Sequence, residues 1–173
     1  IELAKYCHII DENWLGVNFL PLTANEVGSS LVGVNKKNNI DFSEKKFIYC
    51  VGLDSYSKVL SKVSADSFVV AQTAYADPLL KKVNLILPST SFAEKEGTFT
   101  SSERRIQRVR KAVNSPGDAR PDLEIIDQIY KRIDGQSDLT EKPSPEKIFA
   151  EVAALWPGIA GVDYARLAEQ SLQ

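Results

Sequence analysis

Three short apolar runs constrain this chain most: Phe47-Ile48-Tyr49-Cys50-Val51, Ser67-Phe68-Val69-Val70-Ala71 and Asn84-Leu85-Ile86-Leu87. Each is continuous rather than alternating. The first is stopped by Gly52, the second by Gln72-Thr73-Ala74 and the third by Pro88. Between the first two, Asp54 to Val63 has a helical period, and Pro78 to Val83 supports a short helix before the third. Strands that are apolar on both faces, with helices between them, predict parallel pairing in an α/β sheet. Right-handed crossovers then place the helices on its faces, and Ile86 is expected inside the core.

The rest reads as helix and loop. Residues 1–10 are predicted helical, with Leu3, Ala4, Cys7 and Ile10 on one face, so Cys7 is expected in the core. Residues 13–21 are loop-like, 24–34 poorly periodic, and Lys36-Lys37-Asn38-Asn39 a surface spacer. Past the third strand, 91–100 is polar and 103–113 strongly basic. A helix is predicted from Pro121 to near Gly135, and a linker over 136–143. Ser144 should cap a second helix with Pro145 at its first position, and Asp163 a short last one. The expected division is an α/β domain over 1–135 and linker plus C-terminal helices over 136–173. No methionine is present, even at position 1, and Ile1-Glu2-Leu3-Ala4-Lys5 reads as mid-helix, so the chain is expected to be an excised domain or processed piece of a longer polypeptide.

Composition removes whole classes of function. With 21 basic and 23 acidic side chains the net charge is −2, so no global positive field favours nucleic acid. No stretch approaches the roughly 20 apolar residues of a membrane span. Cys7 and Cys50 cannot by themselves supply an iron–sulfur or zinc ligand set, and His8 is the only histidine. A Ser-His-Asp set is therefore excluded, and Asp77 and Glu94 have no partner that makes an acid/base pair. A self-contained enzyme is not expected.

In open parallel sheets ligands sit beyond the carboxyl ends of the strands. Those ends here are Gly52-Leu53-Asp54-Ser55, Gln72-Thr73-Ala74 and Pro88-Ser89-Thr90-Ser91. A helix N-terminus after Gly52 could offer N–H groups to phosphate, and Asp54 could accept from a ribose or a base. The same residues also read as plain connecting loops with Asp54 as a helix cap. A dinucleotide fingerprint would need three glycines where one stands, and no lysine-bearing phosphate loop exists. Further on, Arg104, Arg105, Arg108, Arg110 and Lys111 form a local positive patch, suited to an anionic cofactor or an acidic face of a partner subunit and equally readable as a solvated surface.

The segment Asn84-Leu85-Ile86-Leu87-Pro88-Ser89-Thr90-Ser91-Phe92-Ala93-Glu94-Lys95-Glu96-Gly97-Thr98-Phe99-Thr100 resembles the molybdopterin oxidoreductase family, with its Leu-Pro strand end and Glu-Lys-x-Gly-Thr loop. Glu103-Arg104-Arg105-Ile106-Gln107 is similar to that family's Glu-x-Arg-x-Gln segment, and Pro116-Gly117-Asp118 through Ile126 to its proline-glycine turn and helix, with Leu123 where a Trp is usual. Two relatives fit: the large iron–sulfur subunit of NADH-quinone oxidoreductase, respiratory complex I, and the catalytic alpha subunit of formate dehydrogenases. Asn13-Trp14-Leu15-Gly16-Val17-Asn18-Phe19-Leu20 followed by Ala24-Asn25-Glu26-Val27-Gly28 resembles the first more closely and Arg104-Arg105 the second, so complex I is the expected parent and formate dehydrogenase the alternative.

The resemblance implies a three-layer αβα domain with a mainly parallel sheet. For complex I it implies a structural and docking part of an electron-transfer chain, with no cofactor on this segment. For formate dehydrogenase it implies a grip on the nucleotide arm of molybdopterin guanine dinucleotide, with molybdenum or tungsten, through Gly52, Asp54, Gln72, Thr73, Ser89, Thr90, Glu94 and Thr98, with Arg104 on phosphate. Iron–sulfur clusters would lie elsewhere in the parent polypeptide. Expected partners are the rest of the same subunit and other subunits of a respiratory or formate-oxidising complex, with no nucleic acid and no membrane span. The expected place is the cytoplasm, at the inner face of the cell membrane.

Overall fold

A computed structural model describes residues 5–7, 23–34, 40–53, 57–75, 77–136 and 140–169. The helix expected over 1–10, the loop over 13–21 and Asp54 fall largely or wholly outside the described residues. In chain order the elements are α1 (Glu26–Leu31), β1 (Phe47–Val51), α2 (Ser57–Leu60), β2 (Phe68–Thr73), β3 (Leu85–Pro88), β4 (Gly97–Thr100), β5 (Ile106–Val109), α3 (Asp122–Ile133), α4 (Pro145–Leu155) and α5 (Tyr164–Glu169), with 3-10 turns at Pro78–Lys82, Phe92–Glu94 and Pro157–Ile159. The chain groups into two compact units: residues 1–35, 98–108 and 152–173 in one, and 36–97 and 109–151 in the other.

The second unit holds the expected α/β sheet, ordered β1-β2-β3 and parallel throughout. Phe47 pairs with Phe68, Tyr49 with Val70, and Val70 in turn with Leu85. Asn84 fixes where β3 starts: its side-chain oxygen accepts the Val69 N–H at 2.7 Å, and its own N–H donates to the Val69 carbonyl. Side chains alternate between faces along a strand. On one face Ile48, Cys50, Val69 and Ala71 are buried with Leu80, and Phe42, Val59, Leu60, Val63 and Val83 pack around them. Burial of each Ile or Val there contributes about 2 kcal/mol. The opposite face carries Phe47, Tyr49 and Val51 from β1, Phe68, Val70 and Gln72 from β2, and Leu85 and Leu87 from β3.

Only β2 is buried along most of its length. Both β1 and β3 lie at the sheet's flanks, and on β3 Leu85 and Ile86 are exposed. This corrects the expectation for Ile86: β3 is short and, among the described residues, has a strand only on its β2 side, apart from a one-residue parallel bridge between Ser89 and Arg120 just beyond it. The helix expected over 54–63 is one turn among the described residues, Ser57–Leu60. Cys7 is exposed rather than in the core, while Cys50 is buried and desolvation pushes its thiol pKa up.

The later helices start and stop where their capping residues stand. α3 follows Pro121, has Asp122 and Glu124 in its first turn and Lys131 and Arg132 in its last, and ends before Gly135 at φ +76°. The Ser144 hydroxyl accepts the Lys147 N–H, and an Asp163 carboxylate oxygen accepts the Arg166 N–H at 2.8 Å.

The first unit contains two elements that the sequence pattern does not announce. Residues 24–34, poorly periodic in sequence, include α1, and the polar and basic stretches at 91–100 and 103–113 include the β4–β5 pair. The turn between β4 and β5 has no glycine; Arg104 takes the left-handed conformation instead, at φ +63°. Asn25 accepts the Thr100 N–H on its side-chain oxygen at 2.8 Å, tying α1 to β4. A Cβ on Gly28 would come within 2.3 Å of that oxygen, which is why glycine stands there. Arg108, read as part of a surface patch, lies with its guanidinium 4.5 Å from the centre of the Tyr164 ring.

Candidate functional site

A glutamine inside an apolar strand must find hydrogen-bond partners or destabilise the fold. Gln72 is fully buried, at 0% exposure, near the carboxyl end of β2. Its side-chain oxygen accepts from the Tyr49 hydroxyl on β1, and its side-chain nitrogen donates to Asp122 Oδ1 at 2.6 Å. Asp122 opens α3, where the helix N-terminus favours a carboxylate. The other Asp122 oxygen accepts from Lys95 Nζ. The result is a directed chain across the sheet's end, Tyr49 to Gln72 to Asp122, closed by Lys95. Desolvation, and then the nearby Asp122 charge, raise the Tyr49 pKa, so the phenol stays a donor.

The loop that brings Lys95 to Asp122 is held by a capping box. Glu94 Oε2 accepts the Ser91 N–H at 2.9 Å, and the Ser91 side chain accepts in return from the Glu94 backbone. Behind it, the Ser89 N–H donates to the Thr73 carbonyl at 2.9 Å and the Arg120 N–H to the Pro88 carbonyl. The Gly52 N–H donates to the Gln72 carbonyl, and the Thr73 hydroxyl is held between the backbone N–H and carbonyl of Tyr75. Thr90 differs: it is 2% exposed and its hydroxyl has no hydrogen-bond partner.

Of the residues picked out by sequence, Gly52, Gln72, Thr73, Ser89, Thr90 and Glu94 belong to the second unit, at or next to the carboxyl ends of its strands. Thr98 and Arg104 fall in the first unit, and Asp54 lies outside the described residues. Gly52 is exposed at φ +60°, and the helix beyond it is described over Ser57–Leu60. Tyr49, Lys95 and Asp122 were missed. Their signals were a single polar atom in the first apolar run, a lysine between two glutamates, and an acid at a helix start.

Among the described residues no group of His, Cys, Asp and Glu side chains could hold a metal ion, and no helix is long and apolar enough to cross a membrane. The family model for molybdopterin oxidoreductase matches residues 1–132. The chain belongs to the molybdopterin oxidoreductase family. Within the family it is 37% identical over 134 residues to the alpha subunit of F420-dependent formate dehydrogenase 2 of Methanococcus maripaludis, covering 74% of this chain and 20% of that one. It is 34% identical over 124 residues to the mitochondrial NADH dehydrogenase [ubiquinone] iron-sulfur protein 1 of Solanum tuberosum, covering 72% and 16%. To the NADH-ubiquinone oxidoreductase 75 kDa subunit of Reclinomonas americana it is 30% identical over 164 residues, covering 91% and 22%. The matches thus span about a fifth of the length of these curated relatives, which fall on both of the branches that the sequence resembles.

The family's name implies a molybdopterin group. Except for the Thr90 hydroxyl, the rim's donors and acceptors described above are taken up by one another. A nucleotide arm needs several unspent donors converging on phosphate and base. Among the described residues, the buried Thr90 hydroxyl is the rim side-chain group left without a partner for such an arm.

Proposed function

We propose that this chain is a structural and docking domain of the large iron–sulfur subunit of an NADH-quinone oxidoreductase. In this reading it braces the cluster-bearing part of its own subunit and neighbouring subunits in an electron-transfer chain from NADH to quinone, with the redox chemistry carried outside these residues. One observation supports it above the others: the Tyr49–Gln72–Asp122–Lys95 chain spends, inside the fold, the polar groups that a cofactor-binding domain would keep for its ligand. Such a network rigidifies the end of the sheet, which is what a brace requires.

A second reading is a grip on the guanine-nucleotide arm of molybdopterin guanine dinucleotide in a formate dehydrogenase alpha subunit. It draws on the buried Thr90 hydroxyl and on the formate dehydrogenase relatives. The residues would be Gly52, Asp54, Gln72, Thr73, Ser89, Thr90, Glu94 and Thr98, with Arg104 for phosphate. Titration of guanosine diphosphate into the isotopically labelled chain separates the two. The docking reading expects no saturable shift of the Gln72, Thr90 or Glu94 amide resonances up to about millimolar nucleotide, the weak end of specific affinity. Saturable shifts at those residues overturn it in favour of the second.

A further inference from the structure

The sheet face that buries Gln72 at its carboxyl end is bare at its amino end. Phe47 and Phe68, partners in the β1–β2 register, stack there with ring centres 6.3 Å apart and planes 6° from parallel, at 62% and 47% exposure. Leu85 is also exposed, one row further in, where Tyr49, Val70 and Leu85 pair across the three strands. Parallel sheets are normally covered on both faces, and contiguous exposed aromatic surface on a sheet marks an interaction site.

Parallel topology gathers the segments leading into all three strands along this same edge. They carry Lys45 and Lys46 before β1, Lys62 before β2, and Lys81 and Lys82 before β3, all exposed, against the carboxylates Asp41, Glu44 and Asp66. Backbone contacts hold the first pair beside β2: the Phe68 N–H donates to the Lys46 carbonyl at 2.9 Å and the Ser67 hydroxyl to the Lys45 carbonyl. Asp41 already feels Lys45 and Lys62, its carboxyl being held below the usual range mainly by hydrogen bonds from Ser43. Lys46, Lys81 and Lys82 therefore dominate the edge's net positive charge. The charge is local, on a chain of net −2.

We propose that this amino-terminal edge is a docking surface for an acidic amphipathic helix of another polypeptide. Its apolar stripe covers Phe47, Phe68 and Leu85, and its flanking carboxylates meet Lys46, Lys81 and Lys82. A helix is the element that packs flat on a sheet face. The phenylalanines supply affinity and the lysines orientation and choice of partner. A polyanion such as nucleic acid would use the lysines but leave the stacked rings idle, and the chain's overall charge gives it no long-range attraction.

The surface is independent of the rim and is tested with different probes, so failure of one reading leaves the other standing. A fluorescent helical peptide of about 18 residues, five turns, with leucines at i, i+3, i+4 and i+7 and glutamates on both flanks, is titrated against the full chain by anisotropy. Controls are its scrambled isomer, a version with lysine for glutamate, and an oligodeoxythymidylate. Saturable binding of the glutamate peptide alone is expected. Phe47→Ser or Phe68→Ser should weaken it roughly tenfold or more, and Lys46→Glu or Lys82→Glu severalfold, with the lysine peptide gaining where the glutamate peptide loses. Thermal melts confirm that each variant is folded, and the lysine variants test the surface independently of the phenylalanine ones. Equal binding of the scrambled peptide, binding that ignores Phe47 and Phe68, an oligonucleotide that binds with the same lysine dependence, or Phe47-dependent self-association in sedimentation with no peptide bound each overturns the proposal.

Discussion

One face of one small sheet treats its two ends in opposite ways. At the carboxyl end a glutamine, a tyrosine hydroxyl and a carboxylate are drawn together beneath a lysine; at the amino end two phenylalanines stand in solvent. Residue type alone would place the phenylalanines inside and the polar groups outside. What reverses the order is the third layer. Asp122, at the start of α3, lies against Gln72, and the Ser91–Lys95 loop closes over it, so burial there follows the elements packed on the sheet. At the polar end the side chain of Gln72 finds both its partners within this chain; at the apolar end Phe47 and Phe68 stay exposed.

Removing the centre of the polar chain tests that contrast most severely. In Gln72→Leu the half-buried Tyr49 hydroxyl loses its acceptor and Asp122, about a quarter exposed, loses a donor. A stability loss of about 2 kcal/mol is expected, because polar groups that lose a partner where solvent reaches them only in part keep much of their desolvation cost. Urea unfolding followed by circular dichroism measures it. A loss under about 0.5 kcal/mol, the level of an ordinary surface substitution, would mean that the network does not hold the carboxyl end.

The outer member should cost less. Lys95 and Asp122 are each about a quarter to a third exposed, so solvent screens their pairing. Lys95→Met is expected to cost about 1 kcal/mol, with Asp122 still receiving the Gln72 amide and the helix N-terminus. Combined with Gln72→Leu it should fall short of the sum of the two, since both act through Asp122. Strict additivity in the double variant would show two independent contacts in place of a chain.

How much of this contrast could be read in advance depends on how local each signal is. The parallel sheet was legible because three unalternating runs with helical spacers leave few other arrangements. Pro121, Ser144 and Asp163 announced helix starts because capping is decided within one turn. The β4–β5 pair was not legible: its strands are four residues long, Phe99, Ile106 and Val109 stand among polar or charged neighbours with no sustained period, and the left-handed turn position that usually shows itself as glycine is Arg104. Burial of β3 was overestimated because an apolar run says nothing of what lies beside it. At the rim, position on a strand's end pointed to Gln72 and Thr90. Asp122 reaches Gln72, and Lys95 reaches Asp122, only through tertiary folding, across 50 and 27 positions of the chain.

The smallest expected effect is at the bare end, and its smallness is informative. Phe47→Ser deletes a large aromatic side chain from a strand, a change that costs several kcal/mol in a core. Here the ring is mostly in solvent and its one ring partner is itself exposed, so what is lost is a stacked cross-strand pair and some strand propensity. About 0.5 kcal/mol is expected by the same urea titration, several times less than for Gln72→Leu. If Phe47→Ser proves as damaging as Gln72→Leu, the rings are buried in solution by this chain itself, and the two ends of the sheet do not differ in kind. A near-neutral result leaves the phenylalanines without a role in folding, so that their place on the surface is to be explained by what they bind.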